Sequence, residues 1–218
     1  MSTWARRLAT LASSGALMGV FAQLLDEWSE LTGALASYTS FYIAGIAWLG
    51  WRAPTRMRAL VGAAVCLICL VGAYYVTFRL REGGSPWTFI VLWLVAALTA
   101  GPALALAGRI AAERGRRSAM LHGLIVGLLV GEAAILLVGS VTVVGFVWAD
   151  WQATGRTLAG VVAAALAVGL WWGMRRAIPV TAGAGSRWLG LLVGSLGMWA
   201  AVAIVRLGVA LLTDPRAV

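Results

Sequence analysis

One stretch of the chain is apolar but includes two side chains that can carry a charge. Residues 121–140 read LHGLIVGLLVGEAAILLVGS, with His122 near the start and Glu132 in the middle. An ionisable side chain within a membrane segment is costly, so it indicates a functional site by default. Held dry and uncharged, a glutamic acid can donate a proton. Glu132 is therefore the first candidate for a membrane-embedded acid, whereas His122 is expected to be a polar residue at a helix entrance.

The composition indicates that this stretch belongs to a membrane protein. The chain of 218 residues is 61% hydrophobic and 11% charged, with a mean hydropathy of +0.91. Soluble domains carry about 25% charged residues. A chain with so few charges cannot cover a water-facing surface, so we expect an integral membrane protein in contact with the lipid bilayer.

The apolar segments predict an all-α fold, an integral membrane bundle of seven transmembrane helices forming a single domain over residues 1–218. A spanning helix needs about 20 mostly apolar residues. The segments that qualify run approximately over residues 6–25, 34–51, 58–79, 87–108, 117–147, 157–174 and 187–212. The first is read as a retained helix, and the fifth is long enough to tilt or break near Gly139 or Gly145.

The distribution of arginine predicts the orientation of these helices. Cytoplasmic loops collect basic residues. The even-numbered connections and the N-terminus hold twelve of the 17 basic residues, all arginine, while the other side holds five and most of the acids. We therefore expect the N-terminus inside and the C-terminus outside, in the cytoplasmic membrane. The net charge of +9 is then a topology signal rather than a sign of nucleic-acid binding.

Small residues predict how the helices pack. Lipid gives helices no hydrophobic reason to associate, so close approach at small residues has to hold them together. Glycines recur at four-residue spacing, and the first helix has small residues at Ala9, Ala12, Ser13 and Ala16. The glycines concerned are Gly123, Gly127 and Gly131 on the fifth helix and Gly190 and Gly194 on the seventh. The pair Gly101-Pro102 predicts a kink in the fourth helix.

Other polar and aromatic residues could complete a site around Glu132. Gln23, Asp26 and Glu27 near the outer end of the first helix are either solvated or a polar lid over a pocket. Arg79 or Arg206 could pair with Glu132, and a purely structural pair would fix helix positions instead. Aromatic faces stabilise cations. The candidate rings that could bind a substrate are Trp28, Tyr42, Tyr74, Tyr75, Trp93 and Trp199, with belt or core positions as the alternative.

Several chemistries lack their sequence signatures. The chain has no G-x-x-x-x-G-K-[ST] phosphate loop and no G-x-S-x-G elbow. Metal ligands are few, aspartate-rich diphosphate–magnesium motifs are missing, and Cys66 and Cys69 lie in an apolar helix without further ligands. We therefore expect no metal and no cofactor.

The stretches DEWSELTGALAS, GAYYVTFRLR and LVGEAA resemble those of small actinobacterial seven-helix membrane proteins. In size and helix count the chain is similar to integral membrane terpene cyclases, including bacterial enzymes that cyclise farnesylated indole diketopiperazines in drimentine-type pathways. The resemblance implies a carboxylic acid that protonates an alkene or epoxide of an apolar prenylated substrate, without a metal. It makes Glu132 the first candidate acid and Asp26 and Glu27 the next. The fungal members place acids on helices where this chain has none.

Two further functions fit the same composition. The chain could be a small-molecule binding or transport subunit with an outward-facing pocket, or a structural subunit of a larger membrane complex. No particular protein partner is predicted.

The orientation is testable with reporter fusions. A periplasm-active reporter at the C-terminus should be active, because seven crossings from an inside N-terminus end outside. A cytoplasm-active reporter at the same position should stay silent, and the opposite pattern would contradict the count of seven crossings.

Overall fold

The computed structural model describes residues 3–28, 39–84, 87–113, 116–138, 153–175 and 184–213. Within these ranges the chain is helical apart from short turns, and no strand occurs, so the expected all-α fold is confirmed. The helices are α1 (Thr3–Trp28), α2 (Thr39–Arg52), α3 (Arg56–Glu82), α4 (Trp87–Leu98), α5 (Ala100–Ala111), α6 (Arg116–Val138), α7 (Ala153–Arg175) and α8 (Ala184–Thr213).

Counting α4 and α5 as one interrupted helix gives seven within the described ranges, and five of these are long and apolar enough to cross a membrane. The five spans are Thr3–Trp28, Arg56–Glu82, Trp87–Ala111, Arg116–Leu137 and Gly185–Ala203. The other two are shorter, since α2 has 14 residues and the apolar part of α7 runs over Ala159–Gly173. This is the architecture of a multi-pass membrane protein. The expected break near Gly139 or Gly145 lies outside the described residues.

The chain divides into two compact units. The first comprises residues up to Ser37 together with Gly45–Glu113, and the second comprises Tyr38–Ala44 together with the chain from Arg114 onward. Helix α2 therefore contributes its beginning to the second unit and the rest to the first. Each unit is described on its own below.

In the first unit, α1 and α3 meet through backbone contacts at two glycines of α1. A Cβ atom on Gly15 would lie 2.1 Å from the carbonyl oxygen of Cys66, and one on Gly19 would lie 2.2 Å from that of Leu70. Both contacts advance by four residues in the same direction, so the two helices run parallel. The expected small-residue face was wrong at Ala9 and Ser13, which are exposed. On a helix that is apolar all round, several stripes of small residues are equally plausible.

Glycine also brings α2 close to α5 in the first unit. A Cβ on Gly50 would lie 1.9 Å from the carbonyl oxygen of Ala105, and one on Gly108 would lie 2.2 Å from that of Ala47. Around this crossing lies a buried core in which three of the four side chains are alanine. Its members are Ile46, Ala59, Ala63 and Ala105. Such side chains let the helix backbones approach each other.

The span Trp87–Ala111 is interrupted at Thr99, which lies in a turn between α4 and α5. Pro102 follows three residues later, lacks an N–H for the carbonyl of Leu98, and its ring crowds the preceding turn. The Thr99 hydroxyl donates a 2.6 Å hydrogen bond to the carbonyl oxygen of Val95. The predicted kink at Gly101-Pro102 is therefore confirmed as a break in the helix.

In the second unit, α6 and α8 pack in parallel along a run of glycines. Cβ atoms on Gly123 and Gly127 would lie 2.1 and 2.2 Å from the carbonyl oxygens of Arg187 and Leu191. In return, Gly190 and Gly194 face the carbonyl oxygens of Met120 and Leu124 at 2.0 and 2.2 Å. The packing role predicted for these glycines is confirmed. Helix α7 packs on another face of α6, where Val126 and Leu129 meet Ala167.

Tryptophans near the ends of helices lie against arginines, as the aromatic belts of membrane proteins do. The guanidinium of Arg58 lies 5.1 Å from the ring centroid of Trp4, and that of Arg52 lies 5.2 Å from the ring of Trp48. Trp28, at the other end of α1, is 79% exposed. Such positions are typical of tryptophans at a membrane boundary, and the sidedness of the membrane stays a prediction.

The glycine contacts predict a position-specific effect of adding one methyl group. Gly127→Ala should lower the free energy of unfolding by about 1–3 kcal/mol, because the new Cβ would overlap a backbone carbonyl that cannot rotate away. Unfolding by denaturant in detergent micelles measures this. The control is Gly197→Ala on α8, the helix that Gly127 contacts. A Cβ added at Gly197 meets nothing within 4 Å. Equal destabilisation by both changes would contradict the packing.

A surface ion pair in the first unit joins the start of α3 to the residues that follow α5. It predicts that the stability of the protein depends on pH. Arg56 donates hydrogen bonds to both carboxylate oxygens of Glu113, at 2.8 and 3.2 Å, and this lowers the pKa of Glu113 below its usual range. The stabilisation is therefore present above the pKa of an unfolded glutamate, about 4.3. It is lost as the pH falls through the lower folded pKa.

Thermal unfolding of the wild type and Glu113→Gln should consequently differ slightly at pH 7, in favour of the wild type. The difference should shrink as the pH falls below the pKa of an unfolded glutamate, and it should vanish once the carboxylate is protonated in the folded protein as well. The effect is small because the pair is exposed. A difference that persists at acid pH would show that the substitution acts through something other than this pair.

Candidate functional site

The ends of α1 and α3 hold an acidic side chain bonded to a tyrosine. The hydroxyl of Tyr74 donates a hydrogen bond to Oδ2 of Asp26. The parallel packing explains the meeting, since a Cβ on Gly19 would lie 2.9 Å from the backbone nitrogen of Tyr74. Asp26 follows Gly19 by two helical turns and therefore lies on the same face of α1.

A second chain of polar contacts lies beside this pair. Nε2 of Gln23 donates a 2.8 Å hydrogen bond to Oε1 of Glu27, and Arg81 of α3 forms a 2.5 Å ion pair with the other oxygen of Glu27. Gln23 is only 1% exposed, and its Oε1 has no hydrogen-bond partner among the described residues. An unsatisfied buried carbonyl oxygen is costly, so it is a feature that calls for an explanation.

Aromatic rings continue from Tyr74 along α3. The ring of Tyr75 meets that of Tyr74 edge-on, with centroids 5.0 Å apart, and Phe78 lies 6.5 Å from Tyr75. The faces of such rings carry partial negative charge and attract cations. We refer to Gln23, Asp26, Glu27, Tyr74, Tyr75 and Arg81 as the acid–tyrosine cluster.

The structure thus brings together five of the residues that the sequence singled out: Gln23, Asp26, Glu27, Tyr74 and Tyr75. Arg81 joins them through its ion pair with Glu27, although no sequence motif pointed to it. Its position seven residues after Tyr74 puts the two on one face of α3. The other candidates in the first unit lie on exposed surface: Trp28, Arg79 and Trp93.

Glu132 lies in the second unit and is 5% exposed, between the buried Gly131 and Ala133 of α6. Its side chain therefore lies in the interior of this unit rather than on the lipid-facing surface. Tyr42 and Trp199 of the same unit are half-buried. The side chain of Arg206 lies outside the described residues, so its pairing with Glu132 stays a prediction, as does that of Arg79.

His122 differs from expectation. It lies near the start of α6, as predicted, but its side chain is fully buried and stacks on Trp171, with ring centroids 5.2 Å apart and planes 22° apart. Nε2 is 3.4 Å from the carbonyl oxygen of Leu170. The available signal was that this is the single histidine of the chain, placed in an apolar stretch where a polar side chain is costly.

The remaining metal-ligand types are scattered in the part of the chain that the structure describes. No three His, Cys, Asp or Glu side chains gather there. Cys66 and Cys69 are free thiols, and Cys66 is buried where α3 meets Gly15.

Comparison with known proteins places the chain in a family. Residues 1–213 match the model of a family of unknown function, DUF6518, and the chain belongs to that family. No curated protein and no solved structure matches it.

Proposed function

We propose that this member of the DUF6518 family is a membrane-embedded cyclase that starts its reaction by protonating an alkene of an apolar, prenylated substrate. The observation that supports this best is the contact between Asp26 and Tyr74 beside a row of aromatic rings. We assign the acid to Asp26. The family membership itself assigns no activity.

The hydrogen bond from Tyr74 helps Asp26 to release a proton. A hydrogen bond donated to one carboxyl oxygen stabilises the carboxylate that remains after the proton has left, and bonds of this charged type are strong. The other oxygen can carry the proton toward the substrate. Gln23 and the Glu27–Arg81 pair hold the last turn of α1 against α3 and so fix where the carboxyl group lies.

The proposed reaction is an isomerisation. The Asp26 proton adds to one carbon of a terminal alkene, whose π electrons form the new C–H bond and leave a carbocation. A second alkene of the same chain attacks that cation and forms a C–C bond. Loss of a proton, returned directly or through solvent to the carboxylate, then creates the final alkene and restores the acid.

The rings of Tyr75 and Phe78 would place faces of partial negative charge beside the carbocation. Cation–π attraction contributes about 2 kcal/mol or more where water is excluded. An apolar substrate could reach the cluster sideways from lipid. With the proposed N-inside orientation in the cytoplasmic membrane, the cluster lies near the outer boundary.

Glu132 is the competing acid within the same function. Its burial fits a dry proton donor, but burial is equally typical of a structural carboxyl group. The contacts of Asp26 favour it as the acid, because a hydrogen bond to its carboxyl group and a row of aromatic rings occur at one place.

Substitutions in the purified, membrane-reconstituted protein test this assignment. With a farnesylated indole as substrate and mass-spectrometric detection of cyclic isomers, Asp26→Asn should lower turnover at least about 100-fold, since it removes the acid. Tyr74→Phe should lower turnover about tenfold, because it removes one hydrogen bond to a charged group.

Glu82→Gln is the matched control, since it makes a carboxyl-to-amide change at an exposed site on the same helix as Tyr74. It should leave turnover unchanged. Loss of activity in Glu132→Gln with full activity in Asp26→Asn would transfer the acid to Glu132. Full activity in both variants would rule out either residue as the proton donor.

The buried carbonyl oxygen of Gln23 favours a second candidate, a small-molecule binding or transport subunit. A hydrogen-bond donor on a ligand would satisfy that oxygen, and the adjacent charges could hold polar groups. In that case the purified protein should retain a water-soluble ligand detectable by mass spectrometry. Gln23→Leu should release it, and turnover of prenylated substrates should be absent.

A further inference from the structure

A second group of buried polar side chains lies in the second unit, where α6 and α8 begin and α7 ends. The packing brings these segments side by side, since Gly123 meets the carbonyl oxygen of Arg187 and Gly190 meets that of Met120. The group combines hydroxyls, an imidazole and a guanidinium, all nearly inaccessible to solvent. Its members are Ser118, His122, Ser186 and Arg187.

His122 indicates that this group is built for a ligand. The ring is 0% exposed, and its Nδ1 has no hydrogen-bond partner among the described residues. Nε2 faces the carbonyl oxygen of Leu170 on α7, so Nδ1 lies on the ring edge turned away from it. The other helix that packs at this level is α8, which contributes Ser186 and Arg187.

The same end of the unit favours negative charge. Arg187 is 7% exposed and carries five N–H donors in a planar fork. It lies in the first turn of α8, where the helix dipole and the backbone N–H groups attract anions. Arg116 and Arg117 at the start of α6 lie on the exposed surface, where solvent and salt screen their charge.

An aromatic row leads from this interior to the surface. The ring of His122 stacks on Trp171, and Trp171 in turn lies 6.1 Å from Trp188. Trp188 is 59% exposed, and Leu189 and Leu192 beside it are exposed as well. A ligand that follows this row would have an apolar chain on the surface and a polar head inside.

We propose that the second unit binds the phosphate group of an anionic amphiphile, with Arg187 and the two serine hydroxyls as its donors. Because Nε2 of His122 donates to the carbonyl oxygen of Leu170, Nδ1 of the neutral ring is an acceptor, and it takes a hydrogen bond from an O–H of the head group, either the P–OH of a phosphate monoester or a glycerol hydroxyl beside the phosphate. Phosphate suits this set because its several oxygens accept hydrogen bonds in different directions and pair with guanidinium forks. Basic sites between transmembrane helices are known to hold phosphorylated head groups. The site is independent of Asp26 and of the proposed cyclisation.

Native mass spectrometry of the full-length protein in detergent tests the proposal with three probes: dioleoyl phosphatidylglycerol, farnesyl phosphate and inorganic phosphate. The wild type should bind one molecule of an amphiphilic probe saturably and prefer it to dioleoyl phosphatidylcholine. Competition by inorganic phosphate at millimolar concentration would show that the free anion is sufficient. The absence of a saturable one-to-one adduct with every probe would overturn the proposal.

Two variants and a matched control assign the site. Arg187→Gln should weaken binding at least tenfold, and His122→Phe, which keeps the stacked ring, should weaken it about threefold to tenfold. Arg116→Gln removes the same charge from an exposed position and should change affinity less than twofold. Equal weakening by Arg116→Gln and Arg187→Gln would mean that surface charge alone attracts the lipid, and would refute the site.

If Arg187→Gln does not fold, as judged by monodisperse elution and helical circular dichroism, Arg187→Lys replaces it, because this variant keeps the positive charge. A lysine lacks the planar fork, so it should give an intermediate affinity. Unchanged binding in both Arg187→Lys and His122→Phe would also overturn the proposal.

Discussion

Direct contact between helix backbones at glycine is the constraint on which the rest of the molecule depends. Lipid supplies no hydrophobic drive for helices to associate, so their attraction comes from close packing and weak Cα–H···O contacts. Gly15 and Gly19 provide this for α1 and α3, and Gly123 and Gly127 provide it for α6 and α8. Because each pair runs in parallel with the same rise per residue, one glycine contact fixes the height of every residue along both helices.

This fixed register is what assembles the polar groups. In the first unit it puts the last turn of α1 beside Tyr74, and in the second it puts the first turn of α8 beside the start of α6. Both places contain a buried atom without a hydrogen-bond partner among the described residues, Oε1 of Gln23 and Nδ1 of His122. Leaving such an atom unsatisfied costs about 1–3 kcal/mol. A parallel helix pair that binds tightly through its glycines can tolerate that cost at its end.

The features that follow from local sequence were predictable, and those that depend on pairing were not. The length of the apolar segments predicted the helices, and the four-residue spacing of glycines predicted the contacts between α6 and α8. Pro102 predicted the break that lies at Thr99. The packing face of α1 was misjudged at Ala9 and Ser13, because an apolar helix offers several small-residue stripes. The bond between Asp26 and Tyr74 joins residues 48 apart in the chain, and no spacing rule reaches that far. The burial of His122 likewise depends on α7, which supplies Trp171.

The ranking of the two candidate acids shows what burial does and does not establish. Hydropathy singles out Glu132, because a carboxyl group in the middle of an apolar helix is the most costly to retain. Because of that cost, a buried carboxyl group must have a role that offsets it. A structural role can do so as well as a catalytic one. A proton donor to a hydrocarbon needs two further things, a group that stabilises the carboxylate left behind and a surface that stabilises the cation formed. In the proposed function, the bond from Tyr74 to Asp26 serves the first purpose and the rings of Tyr74 and Tyr75 serve the second.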